Sequence, residues 1–109
     1  MMNLDQLKAL LLSIDPHTTK YYFDGDQETG TIWTPHHPTA TSSDDMPEDH
    51  MIKVTISHYS HDPDDPIPGQ IIDALESRLV SIDDPIDFFD QDENTHRTII
   101  EGYFSPGKD

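Results

Sequence analysis

Residues 51–80, MIKVTISHYSHDPDDPIPGQIIDALESRLV, decide the fold. The first third alternates, with Ile52, Val54, Ile56 and His58 on one side of a pleated strand and Lys53, Thr55, Ser57 and Tyr59 on the other. The last third changes period. Ile71, Ile72, Leu75 and Leu79 form a helical stripe, and Asp73, Glu76 and Arg78 lie on its wet side. Between them, interleaved prolines and aspartates force a turn. An oily strand face and an oily helix stripe cover each other, so this unit predicts a sheet with a helix packed on it.

Working outward toward the N-terminus, Asn3 and Gln6 have the spacing of a capping box. Leu4, Leu7, Leu11 and Ile14 follow at helical spacing, widened by Leu10 and Leu12, so a helix is expected over 4–14, ending before Pro16. Tyr21-Tyr22-Phe23 and Thr31-Ile32-Trp33-Thr34, with Gly and Asp between them, predict two short strands joined by a turn. From 35 to 50 the chain is polar and rich in proline, and a long loop is expected. Its Pro35, His36, His37, Asp44, Asp45, Glu48 and Asp49 are candidate interaction residues, set to order against a neighbour.

Toward the C-terminus, Asp83-Asp84-Pro85 breaks the chain, Ile86–Phe89 reads as a short strand and Asp90–Asn94 as a turn. Arg97–Phe104 closes the sheet, with Thr98, Ile100 and Phe104 on one face and Ile99 and Tyr103 on the other. The tail 105–109 is expected to fray. The result is a single α+β domain over 1–109, with a mostly antiparallel sheet of about four or five strands and two helices on one face.

A chain of 109 residues with 33% hydrophobic content supports one small two-layer core, and no segment approaches the roughly 20 apolar residues of a membrane span. The start lacks a basic stretch and a small-residue cleavage site, so no signal peptide is read there. With no cysteine there is no disulfide framework, thiol nucleophile or thiolate metal site, which fits an intracellular protein. The formal net charge is −16, from 22 acidic against 6 basic residues, which argues against direct binding of nucleic acid or anionic membranes. The same charge opposes self-association unless salt or divalent cations screen it.

Several clusters invite chemistry. His36-His37, His50, His58 and His61 lie near aspartates, yet His58-x-x-His61 runs from a strand into a turn and has no partner pair, so solvated or hydrogen-bonded histidines are expected. Asp90, Asp92 and Asn94 with Glu101 at the twelfth position follow the oxygen-ligand order of an EF-hand loop. Thr95 stands where the sharp turn wants glycine and Thr98-Ile99-Ile100 favours a strand, so these four are at most a weak surface cation site. Asp62, Asp64 and Asp65 sit among prolines in an exposed turn, where Asp65 or a neighbour suits a helix start better than acid–base work. Neither a nucleophile elbow nor a glycine-rich phosphate loop occurs, so no catalytic residue and no cofactor is assigned and a non-enzyme is expected.

The strand KVTISHYSHDPDD running into GQIIDALESRL, followed by FFDQDENTHRTIIEGYFS, resembles the small tail-completion or tail-terminator proteins of long-tailed bacteriophages and prophages. Ile56, Tyr59 and Ser60 match the strand end of that pattern, and Phe89, Asp90, Asp92, Tyr103 and Phe104 match its Asp-rich turn and aromatic closing strand. The resemblance implies a non-enzymatic α+β subunit of the virion, assembled in the host cytoplasm. It implies a ring, commonly hexameric, at the head-proximal end of the tail tube, contacting itself, the tube and the head connector. An alternative of another class is an acidic inhibitor or immunity-type protein that mimics nucleic acid and binds a basic protein. A metal-dependent enzyme is a third, which predicts stoichiometric metal retained through purification.

Overall fold

The computed structural model describes residues 3–23, 25–36, 52–78 and 81–104. Helix α1 (Leu4–Ile14) is followed by β1 (Thr18–Lys20), β2 (Gly30–His36) and β3 (Ile52–Ser60). Then come α2 (Ile67–Glu76), β4 (Ser81–Ile82), β5 (Ile86–Asp90) and β6 (Thr95–Phe104). The six strands form one sheet in the order β1-β2-β3-β6-β4, with β5 beside β4 on the same edge of β6. Only β1 against β2 is parallel.

The capping box at the start of α1 is present. Asn3 Oδ1 accepts from Gln6 N at 2.8 Å, and Gln6 Oε1 accepts from Asn3 N at 2.9 Å, so two orphan donors of the first turn are satisfied. Leu7 and Leu11 are the fully buried residues of this helix, and Ile71 and Leu75 those of α2. They meet Trp33, Ile52, Val54, Ile56 and Ile100 in one core. The register settles which face this is. Trp33 pairs with Ile56 and Ile56 with Ile100, so all three project to the same side, and both helices lie on that side. The expected α+β class therefore holds. The extra strands are the three residues of β1 and the two of β4, too short to show a period.

Two expectations are corrected. The aromatic run Tyr21–Phe23 is not a strand, and the chain does not make a hairpin there. The pairing comes earlier, in parallel register from Thr18 opposite Thr31 to Lys20 opposite Trp33. Tyr21 then turns at φ 75, with its N–H still bonded to Trp33 O at 3.1 Å, and Tyr22 is exposed. A parallel connection needs a longer return than a hairpin, and residues 21–29 supply it. The second correction is the start of the polar loop. Pro35 and His36 belong to β2, opposite Val54 and Lys53. Trp33 directs its carbonyl toward the β1 side, and Pro35, two residues on, faces the same way where β1 has already ended. The N–H that proline lacks is thus one the sheet does not use. The remaining loop residues His37, Asp44, Asp45, Glu48 and Asp49 lie outside the described residues, as do Leu79 and the tail 105–109.

Candidate functional site

The alternation of β3 carries His58 onto the helix-covered face, where it is buried. Three elements supply its partners. Asp15, which ends α1, receives the Thr31 hydroxyl on Oδ2 at 2.7 Å and the His17 N–H on Oδ1 at 2.9 Å. Thr31, opposite His58 in the register, places its Oγ1 2.9 Å from His58 Nδ1. Asp65, two residues before α2, lies 2.9 Å from His58 Nε2 through Oδ2 and accepts the Ile67 N–H on Oδ1 at 2.8 Å.

The Thr31 hydroxyl donates to Asp15 Oδ2, and the two ring nitrogens of His58 stand at hydrogen-bond distance from Thr31 Oγ1 and the Asp65 carboxylate. Burial by itself raises the Asp65 carboxyl. The hydrogen bonds from His58, Ile67 and Ser60, with the His58 charge, outweigh it and hold Asp65 below the ordinary carboxylate value. In connectivity the chain Thr31–His58–Asp65 resembles a nucleophile, base and orienting acid. Thr31, however, is 0% exposed and its proton is committed to Asp15, so no substrate atom reaches it. The network ties the end of α1, strands β2 and β3 and the start of α2 together.

Of the expected cation residues, Asp90, Asp92 and Asn94 share one turn and Glu101 stands apart from them. Asp90 Oδ1 accepts from Asp92 N at 3.0 Å and Glu93 N at 3.3 Å, which folds the turn on itself. Glu101 stands six residues along β6 from Thr95, the partner of Asp90, which at the strand rise is about 20 Å away. Its carboxylate meets Lys53 at 3.4 Å instead. Among the described residues no group of three or more His, Asp or Glu side chains could hold a metal ion.

The other feature lies on the sheet face away from the helices. Register places Ile32, Ser57, Ile99 and Ile86 in one row across four strands, and Tyr59, Arg97 and Phe88 in the next. The return segment crosses one end of this face, where Phe23 packs edge-on against Tyr59 at 5.2 Å between ring centres. Arg97 lies over the Tyr59 ring at 5.3 Å and reaches Ser57 Oγ at 3.5 Å. An open groove of about 950 Å³ runs along this end, floored by Phe23, Ile32, Tyr59 and Phe88, while Phe89, opposite His96 with the two rings 4.5 Å apart, borders it from the helix-covered side of β5. Its rim carries Glu28, Asp90, Asp92 and Glu93. Phe88 and Phe89 are 52% and 50% exposed, a large apolar area for strand residues to leave in water. Sequence reasoning identified the β5 strand and its turn but not this groove, because exposure of both aromatics depends on β5 being an edge strand. No family model, curated protein or solved structure matches the chain.

Proposed function

We propose that the chain is a non-enzymatic assembly subunit of a phage neck or tail, forming a ring at the head-proximal end of the tail tube that ends tube growth and joins the head connector. The observation that carries this reading is the sheet face that neither helix covers. Both helices pack on one side, and Ile32, Tyr59, Phe88 and Ile99 stand on a side that neither helix covers. A sheet that covers only one face with its own helices has the other free for protein contact. The sheet edges add a second contact mode, since the three-residue β1 and the five-residue β5 leave main-chain groups for strand pairing between subunits.

The charge suits the same role. A ring with carboxylates around its passage holds DNA phosphates off by repulsion and lets the duplex slide. Each added subunit also brings a net charge of −16, so closure of the ring requires screening. The direct test is tube growth. Added to polymerising tail tubes, the protein should shorten them and appear at one end only in electron micrographs. Unchanged tube length with no end-bound density overturns the proposal.

A further inference from the structure

We propose that the groove on the open sheet face is a docking site for an extended, basic protein segment, one that sets an apolar or aromatic side chain on the Tyr59–Phe88 floor and its Lys or Arg side chains against the acidic rim. The inference goes beyond the ring reading and does not depend on it.

Shape comes first. The groove is about 950 Å³ and open along its length, the size for several consecutive side chains rather than a lone ion. Charge decides among occupants. Asp90 spends one carboxylate oxygen on its own turn and Glu28 lies 3.5 Å from His61, but Asp92 and Glu93 have no side-chain partner among the described residues. Arg97, the one cation among the described lining residues, is drawn down onto Tyr59 and Ser57. The rim is therefore negative over an aromatic floor, and aromatic faces themselves attract cations. Phosphates are repelled by such a rim. A second copy of the chain, with 22 acidic and 6 basic residues, matches it poorly. A basic segment matches both rim and floor. Among the described residues nothing pairs with the outer edge of β5, so an extended segment can add main-chain hydrogen bonds there.

A competing role for the acids is to guard an aromatic edge strand against aggregation. Binding separates the two. The probe is the peptide acetyl-Gly-Arg-Lys-Phe-Ile-Arg-Lys-Gly-amide, titrated by calorimetry and by amide chemical-shift mapping. Its controls are the same peptide with Glu at every basic position and a single-stranded oligonucleotide. The basic peptide should bind with a Kd of about 100 µM or tighter at low ionic strength. Shifts should centre on β5, Tyr59 and the 90–95 turn, and binding should weaken about tenfold when salt is raised through the screening range. Phe88→Ala should lower affinity about tenfold, as loss of an aromatic anchor does. Asp92→Asn with Glu93→Gln, both exposed turn positions that leave the fold intact, should lower it several-fold and flatten the salt dependence. Equal binding of the acidic peptide or the oligonucleotide, shifts away from the groove, affinity unmoved by the turn variant, absence of basic-peptide binding at millimolar concentration, or a doubled mass with the groove closed by a second copy would each overturn the proposal.

Discussion

Replacing His58 with leucine asks whether the buried network is the clasp that holds both helices to the sheet. Leucine is close enough in size to leave no large void, so the cost comes from the lost polar contacts. Asp15 keeps the Thr31 hydroxyl at 2.7 Å and the His17 N–H at 2.9 Å, so it stays partnered. Asp65 keeps Ile67 N–H on Oδ1 but loses the 2.9 Å contact on Oδ2. With 18% of its side chain exposed, Asp65 can recover water, which keeps the penalty below that of a fully buried orphan charge. The charged bond is worth about 1.5–3 kcal/mol and the Thr31 contact about 1 kcal/mol, so His58→Leu should cost about 3 kcal/mol. In a domain with about 5–15 kcal/mol in total, that is a large share, equivalent to a fall in Tm of roughly 12 °C at about 4 °C per kcal/mol. Urea titration followed by the single, buried Trp33 measures it directly. A cycle with Asp65→Ala should show the pair coupled by about 1.5 kcal/mol or more. A loss below about 1 kcal/mol, or a cycle that is additive within about 0.3 kcal/mol, refutes the clasp.

Three further outcomes follow from the same geometry. Because Asp65 is held below its unfolded value when folded, its stabilisation is present above the ordinary carboxylate range and disappears as pH falls through the folded value; the gap between wild type and Asp65→Asn should therefore narrow below about pH 4, and a gap that widens there contradicts the assignment. Gly30 opens β2 at φ +130, and an added Cβ would lie 2.6 Å from His17 O, so Gly30→Ala should destabilise by about 2 kcal/mol in the same urea assay, whereas a neutral result would mean that the return segment shifts freely. Asn3→Ala removes the acceptor of the α1 capping box and should cost about 1 kcal/mol, while Asn3→Asp, which preserves an acceptor at the helix start, should restore it.

The fold was legible where a period ran long enough to be counted. Nine residues of β3 and ten of α2 show spacings of two and of three to four that assign both element and face, and the capping box marks the start of α1. The parallel β1–β2 pair was not legible, because three residues carry no period and Tyr21-Tyr22-Phe23 has stronger strand propensity than the Thr18–Lys20 segment that pairs. His58 could be placed on the oily side by parity alone. Its meaning could not, since Asp15 and Thr31 come from 43 and 27 positions away and meet it only through the β2–β3 register and the end of α1. Asp65 was within reach of sequence reasoning, and its bond to Ile67 N–H is the helix-start role expected for that stretch. The likeness of Asp90, Asp92, Asn94 and Glu101 to a calcium loop fails for a simple reason. A twelve-residue loop must return on itself to bring its last ligand home, and an extended β6 carries Glu101 away.

The ring is tested most directly by the solution mass of the purified chain, measured by light scattering at low ionic strength and again with added salt and millimolar magnesium. Self-repulsion at −16 per subunit predicts monomer at low salt and a single closed oligomer once the charge is screened. A monomer at every ionic strength contradicts self-assembly through paired strand edges.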